Sequence, residues 1–245
     1  MKIAIVTSND LIFRKIGSDL LFKINTYNST DIFYERSSIS IFKILKYRLQ
    51  KFSFFVALDQ ILFKFFDVFF LRRKFYKKLK KREDLNFQSI ENLNSDSAFD
   101  QLKKYDLVIG IATSILKRKI INAPKYGIIN IHPGVLPNYR GIGNFWAVYK
   151  GDIELIGSTC HWMTEKIDYG KIICISKISL NEEVRSLWDI NLKSYEKGID
   201  DLSEIINTNR LFKTDVKYNI KDSKYFTWNG MTDYFKFLKQ IKNEV

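Results

Sequence analysis

Proline and glycine are scarce in this 245-residue chain, and most of them crowd into one stretch. Pro124, Pro133 and Pro137 lie in or just before the segment from Tyr126 to Ile173. Gly110, Gly127, Gly134, Gly141, Gly143, Gly151, Gly157 and Gly170 fall between positions 110 and 170. Proline fixes φ and glycine permits positive φ, so backbone shape is specified here and hardly anywhere else. The remainder is mostly Lys, Ile, Phe, Asn and Leu. Backbone control concentrated in this way marks a site.

The frame around that site reads as α/β. Ile3 to Val6 is apolar without alternation, as strands of a parallel sheet are when both faces are covered. The turn Thr7-Ser8-Asn9-Asp10 leads into a helix near Leu11, with Asn9 or Asp10 as its N-cap. The turn contains no glycine, which excludes a dinucleotide fingerprint or a phosphate-gripping glycine loop. A helix start can still receive an anion. Asp106 to Gly110 predicts a second strand, Leu116 to Ile121 a helix, and Gly127 to Ile131 a third strand. Ligands of open α/β sheets sit beyond the carboxyl ends of strands, so Thr113 to Leu116 should rim a pocket.

Positions 39 to 83 are helical in pattern, first very apolar and then very basic. Ser53 to Leu71 resembles a membrane span, but Asp59, Gln60, Lys64 and Asp67 interrupt it near one helical face. Charge at mid-bilayer is costly, so a buried amphipathic helix or helix pair is expected. Arg72, Arg73, Lys74, Lys77, Lys78, Lys80, Lys81 and Arg82 follow, interleaved with Phe75 and Tyr76. This run reads as a solvated helix face, an anionic-membrane contact or a grip on phosphate, and the residues do not choose. The formal net charge of +13 favours anionic partners in general. Cys160 and Cys174 show no Cys-x-x-Cys spacing and suit free buried thiols. With only His132 and His161, no metal site is expected. The N-terminus reads as a buried strand rather than a signal peptide, so a cytoplasmic location is expected.

Asn130 and His132 flank one residue near a strand end, and residues two apart in extended chain share a face. Asp168 lies in a turn, T-E-K-I-D-Y-G, after the strand-like Thr159 to Met163. An amide donor, a near-neutral imidazole and a carboxylate together suit acyl transfer: oxyanion stabilisation, proton movement and orientation of the imidazole. Each also has a structural reading, because histidines at strand ends are often only hydrogen-bonded and Asp-x-Gly is commonly only a turn.

N-I-H-P-G-V-L-P-N-Y-R-G, followed by G-S-T-C-H-W-M-T-E-K-I-D-Y-G, resembles the signature of formyltransferases that use N10-formyltetrahydrofolate. The match is close over positions 105 to 175. It implies a Rossmann-like, mostly parallel sheet flanked by helices, with a catalytic domain at 1–185. A small helix and β appendage at 186–245 would complete a homodimer. By position, Asn130, His132 and Asp168 would be catalytic. Gly110, Thr113, Ser114, Ile115 and Leu116, with Met163, Thr164, Glu165, Lys166 and Ile167, would hold the folate cosubstrate. His161 would play a structural or supporting part. The acceptor would meet Ser8, Asn9 and Asp10, Lys77 of the basic run, Tyr139, Arg140 and Gly141, and the aromatics Tyr225 and Trp228.

The family's amines differ. Glycinamide ribonucleotide transformylases carry a glycine-rich phosphate loop where this chain has T-S-N-D. Methionyl-tRNA formyltransferases add a C-terminal barrel, and the roughly seventy residues after Ile173 offer less room than that barrel needs. No nucleic-acid partner is therefore expected. What remains is similar to the nucleotide-sugar N-formyltransferases of surface polysaccharide (O-antigen) synthesis, with dTDP-4-amino-4,6-dideoxyglucose the first-choice acceptor and UDP- or GDP-linked amino sugars close behind. Two other readings use the same residues or scaffold: a formyltetrahydrofolate hydrolase, and a module making peripheral membrane contact through positions 53 to 82.

Overall fold

Ile3 and Ile5 point to one side of the central strand, Ala4 and Val6 to the other, and all four are buried. That double burial is why the strand runs apolar without alternation. In the computed structural model the described residues are 1–245 except 25–29, 37–40, 74, 75, 77–86, 182, 183, 185, 215, 218–222, 228 and 245. The side chains of 41–45 are likewise outside the description. Lys77 and Trp228 therefore lie outside the described residues, as does most of the basic run.

The strands are β1 (Ile3–Ser8), β2 (Thr30–Glu35), β3 (Gln88–Ile90), β4 (Leu107–Ile111), β5 (Ile128–His132), β7 (Gly157–Trp162) and β8 (Ile172–Lys177), forming one sheet. Their order is β3-β2-β1-β4-β5-β7-β8. From β3 to β5 all pairs are parallel, while β7 is antiparallel to both neighbours. A separate short pair joins β6 (Arg140–Gly141) to β9 (Tyr225–Phe226). The α/β class with a mostly parallel sheet is thus the observed one. The strand order reverses between the parallel neighbours β1 and β4, which opens a crevice at their carboxyl ends.

One sheet face packs on α1 (Leu11–Lys23) and the long α7 (Leu187–Asn207), through Ile12, Ile16, Leu20, Tyr195, Ile199 and Leu202. The other packs on α4 (Asp96–Leu102) and α5 (Arg118–Ile121), through Ala98, Leu102 and Ile120. The Asp10 side chain accepts from the Ile12 N–H at 2.9 Å and caps α1, one of the two N-caps foreseen. The expected helices at 39–83 are α2 (Ile41–Lys51) and α3 (Phe54–Phe66), the latter continuing as a π-helical turn over Asp67–Arg72. Among the described residues, no helix is long and apolar enough to cross a membrane.

A third core joins α3, α6 (Gly143–Lys150) and α8 (Met231–Glu244), with Phe63, Phe145, Tyr234 and Phe237 at its centre. Helix α7, which follows position 186, packs on β5, β7 and β8, and its apolar face covers them. The described chain from β9 onward belongs to the third core. There Phe237 is fully buried, stacked on Phe145 at 4.9 Å.

Phe237→Ala should lower stability by about 3–5 kcal/mol, the usual range for emptying a buried phenylalanine site. Denaturant unfolding would read this as one shifted, single transition. A loss under ~1 kcal/mol would mean that α8 is only loosely attached.

Candidate active site

The site forms where β5 ends. Asn130 lies opposite His161 and His132 opposite Thr159 in the antiparallel pairing of β5 with β7. Pro133 and Gly134 then turn the chain so sharply that Gly134 approaches Gly143 and the His132 ring. A Cβ at Gly134 would stand 2.7 Å from His132 Nε2 and 2.9 Å from the Gly143 Cα. Only glycine fits, and the close approach fixes where the imidazole sits.

His132 is buried. Its Nε2 lies 2.9 Å from the Tyr139 carbonyl, which can only accept, so Nε2 carries a proton. In the neutral ring the lone pair is therefore on Nδ1, 3.5 Å from Asp168 Oδ2. His161 has the opposite tautomer. Its Nδ1 donates to the Trp162 carbonyl at 3.0 Å, leaving Nε2 to accept from Asn130 Nδ2 at 3.2 Å. That contact orients the Asn130 amide and leaves its second N–H for the cavity.

Asp168 is carried in by a strained residue. It is not glycine, yet its φ is 51°, in the left-handed region that aspartate tolerates better than most residues. Its Oδ2 accepts the Gly141 N–H at 2.9 Å, and its Oδ1 lies 3.7 Å from His161 Nε2. Gly141 itself has φ 81°, and a Cβ there would run into the Phe226 carbonyl. Arg140 braces the same loop, donating through Nε to the Ile167 carbonyl at 3.0 Å.

Burial is the largest influence on both groups. It lowers the His132 imidazole, against the pull of Asp168 and the Tyr139 hydrogen bond. It would raise the Asp168 carboxyl, but His132, His161 and the Gly141 N–H reverse that and hold it far below the usual carboxylate range. At neutral pH the pair is thus a carboxylate beside a neutral imidazole.

The three residues open onto a cavity of about 180 Å³ lined by Ala112 to Leu116 and Met163 to Asp168. Both loops contain one left-handed non-glycine residue, Ala112 (φ 53°) and Asp168. Ile115 and Ile167 stand exposed across the rim. Glu35, buried at the end of β2, pins the first loop by accepting the Ser114 N–H at 3.1 Å and its hydroxyl at 2.9 Å. Ser114 is consequently a loop anchor, with both its donors committed. Gly110 does not line the cavity. A Cβ there would press on Met163 Cε at 3.2 Å, so its part is to let the second loop close.

The expected acceptor residues scatter. The Tyr139 side chain turns into the core, its hydroxyl on Asp152 and its ring stacked on Phe226 at 5.2 Å, because the Leu136–Tyr139 turn needs an apolar anchor. Only its carbonyl reaches the site. Arg140 and Gly141 hold the Asp168 loop, and exposed Tyr225 lies under the Arg140 guanidinium at 5.7 Å. Asp10 is taken by Arg72 at 2.7 Å and by the Tyr76 hydroxyl at 2.9 Å. Asn9 is exposed, and the buried Ser8 hydroxyl has no hydrogen-bond partner among the described residues.

A second cavity of about 230 Å³ lies across Pro133 from the first. Its walls include Lys64, Asp67, Arg72, Asn144, Trp188 and Asn229. Burial, aided by nearby Arg72, lowers the Lys64 amine to about 8. Of this wall the sequence offered Arg72, in a run read as one possible grip on phosphate, but not the other residues, nor Glu35, Ile121 and Tyr195. Of these last, Glu35, an acid ending an apolar strand, was the only one with a visible signal. No group of metal-binding type occurs among the described residues.

With this geometry in view, residues 74–195 match the family model described as formyl transferase. The chain belongs to the formyl transferase family. A methionyl-tRNA formyltransferase of Agathobacter rectalis is 35% identical over 118 residues, 46% of this chain and 34% of that protein. The chain spans from a quarter to about half the length of such curated relatives. Among solved structures, a sugar N-formyltransferase from Shewanella superposes with a TM-score of 0.60 at 17% identity, covering 98% of this chain and 88% of that one. A 4-N formyltransferase from Francisella tularensis gives 0.59 at 19% identity, with 98% and 87% covered. An N-formyltransferase from Helicobacter canadensis, solved with folinic acid and dTDP-3-aminofucose, gives 0.54 at 17% identity, with 98% and 79% covered. These likenesses establish the fold.

His161→Leu removes the acceptor that orients Asn130 but leaves the titrating His132 in place. It should cut kcat by about tenfold or more, less than the ~10²–10³ expected for deleting Asn130 itself. The acid limb of kcat/KM, set by neutral His132, should stay below pH ~6.5 in both wild type and variant. A limb that moves with His161 would assign the proton transfer to the wrong imidazole.

Proposed function

We propose that this chain transfers a formyl group from N10-formyltetrahydrofolate to the amine of a nucleotide-linked amino sugar. The observation that carries this reading is the convergence of Asn130, His132 and Asp168 on one wall of a cavity whose other walls are two pinned loops. The cavity fits a pterin: it is narrow, has apolar Ile115, Leu116, Met163 and Ile167 for the ring faces, and offers peptide groups along its edges. When bound, the folate supplies the formyl carbon.

The chain's own residues do the rest. Asn130 donates its free N–H to the formyl oxygen as negative charge builds there, a contact worth most in the transition state. His132 accepts, through water, the proton lost by the attacking amine. Because Nε2 is committed to Tyr139, the proton lands on Nδ1, facing Asp168. The carboxylate stabilises the imidazolium and keeps the proton available for the departing folate nitrogen. Arg140 and Gly141 hold Asp168 in place for that exchange.

The second cavity suits the acceptor, since it opens beside His132 at Pro133. Lys64 and Arg72 can meet a diphosphate, and Asn191 and Asn229 can meet sugar or base hydroxyls and amides. An amino-sugar acceptor is supported over tRNA by the extent of the likeness, which runs along nearly the whole chain for the sugar enzymes. We favour dTDP-4-amino-4,6-dideoxyglucose, a building block for surface polysaccharide.

The test is an acceptor screen with N10-formyltetrahydrofolate and dTDP-, UDP- and GDP-linked amino sugars, following folate turnover and acceptor mass. One sugar should gain one formyl group, and His132→Asn should lose at least ~10²-fold in rate. Folate turnover with no sugar modified would indicate a hydrolase instead. Untouched folate would refute the reading.

A further inference from the structure

Helix α3 is apolar on two sides. Its inner side, with Ala57, Gln60, Phe63 and Asp67, is buried against the third core. Its outer side carries Phe54, Phe55, Leu58, Leu62, Phe65 and Phe69, which are between 41% and 80% exposed. Leu58, Leu62, Phe65 and Phe69 repeat at spacings of four, three and four, so they form one stripe along the helix. The stripe contains no charge. The charged residues of this element lie elsewhere: Asp59 accepts from Thr232, Lys64 and Asp67 wall the second cavity, and Arg72 binds Asp10. A contiguous exposed surface this apolar marks an interaction site.

The surrounding charge says what covers it. The stripe runs directly into the sequence Arg72 to Arg82, which holds Arg72, Arg73, Lys74, Lys77, Lys78, Lys80, Lys81 and Arg82 without an acidic residue. Exposed Lys46 and Lys51 lie on α2, which packs alongside α3. The whole chain carries +13. A second copy seated on this stripe would bring two strongly basic chains together. An anionic surface would be attracted by them. We infer that the outer face of α3 docks on an anionic phospholipid bilayer, lying in its interfacial plane with phenylalanines inserted and exposed Lys46 and Lys51 of α2 available to the headgroups. No described helix can span the bilayer, so contact is from one side. The inner face of the same helix lines the second cavity, which places that cavity close to the lipid surface. The docking does not depend on which acceptor the cavity takes.

The experiment is co-sedimentation of the full chain with vesicles of phosphatidylcholine alone and of phosphatidylcholine mixed with phosphatidylglycerol. Wild type should pellet with the anionic vesicles and stay in solution with the neutral ones, and raised salt should weaken binding. Phe55→Ser with Phe69→Ser should reduce the bound fraction by about tenfold while the circular dichroism spectrum and the folate turnover stay as in wild type. Leu62→Gln is a second, milder variant at another exposed position and should reduce binding by a smaller factor. Wild type left in the supernatant with both vesicles would overturn the inference. So would variants that bind as well as wild type, or a solution dimer that the same substitutions split, which would make the stripe a self-interface.

Discussion

The contact between His132 and Asp168 is the interaction the rest of this structure arranges. Left in water, a carboxylate and an imidazole 3.5 Å apart would be a minor, screened pair. Buried, they form the pair to which the proposed function assigns the proton transfer. Every neighbouring element has a part in arranging that pair. The Tyr139 carbonyl fixes the tautomer, Gly141 and Arg140 fix the carboxylate, and β9 pairs with β6 to hold both. The third core, through Phe226 and the α8 helix behind it, buttresses the β6–β9 pair. A remote C-terminal segment thereby stiffens the reacting groups.

Two opposing effects of similar size act on this pair. An imidazolium 3.5 Å from a carboxylate gains on the order of 5 kcal/mol at an effective dielectric of about 20. Taking an ion out of water costs several kcal/mol. With His132 fully enclosed and His161 and Arg140 also disfavouring its charge, burial wins in the resting site and the ring is neutral. In the proposed transfer, a proton arriving from the attacking amine would meet a base that is free to take it and a carboxylate that is already ionised.

How much of this could be read in advance follows from the range of each signal. The strand β1, a cap at Asn9 or Asp10 and the placing of Asn130 and His132 on one face were legible because they are local, read from period, turn chemistry and spacing, and the structure chooses Asp10. The loops 113–116 and 163–167 were legible through resemblance. Glu35, Tyr195 and the wall around Lys64 were not, since each reaches the site from another segment and no local pattern predicts where a helix surface lands. Tyr139 and Arg140 show the converse. Polar residues beside a catalytic motif look like ligand contacts, but the fold uses one as a core anchor and the other as a brace. Helix α7 was assigned to an appendage through resemblance, and its own sequence does not say what it covers. The sheet it covers is named by the topology alone.

The most direct measurement is the protonation state of the His132 ring, read by nitrogen-15 NMR of imidazole-labelled protein across a pH titration, with His132→Asn used for assignment. A neutral ring with its proton on Nε2, titrating below the usual histidine value of about 6.5, is what the geometry requires. A ring that carries its neutral-state proton on Nδ1, or that stays charged through pH 7, would contradict the proposed relay and with it the role given to Asp168.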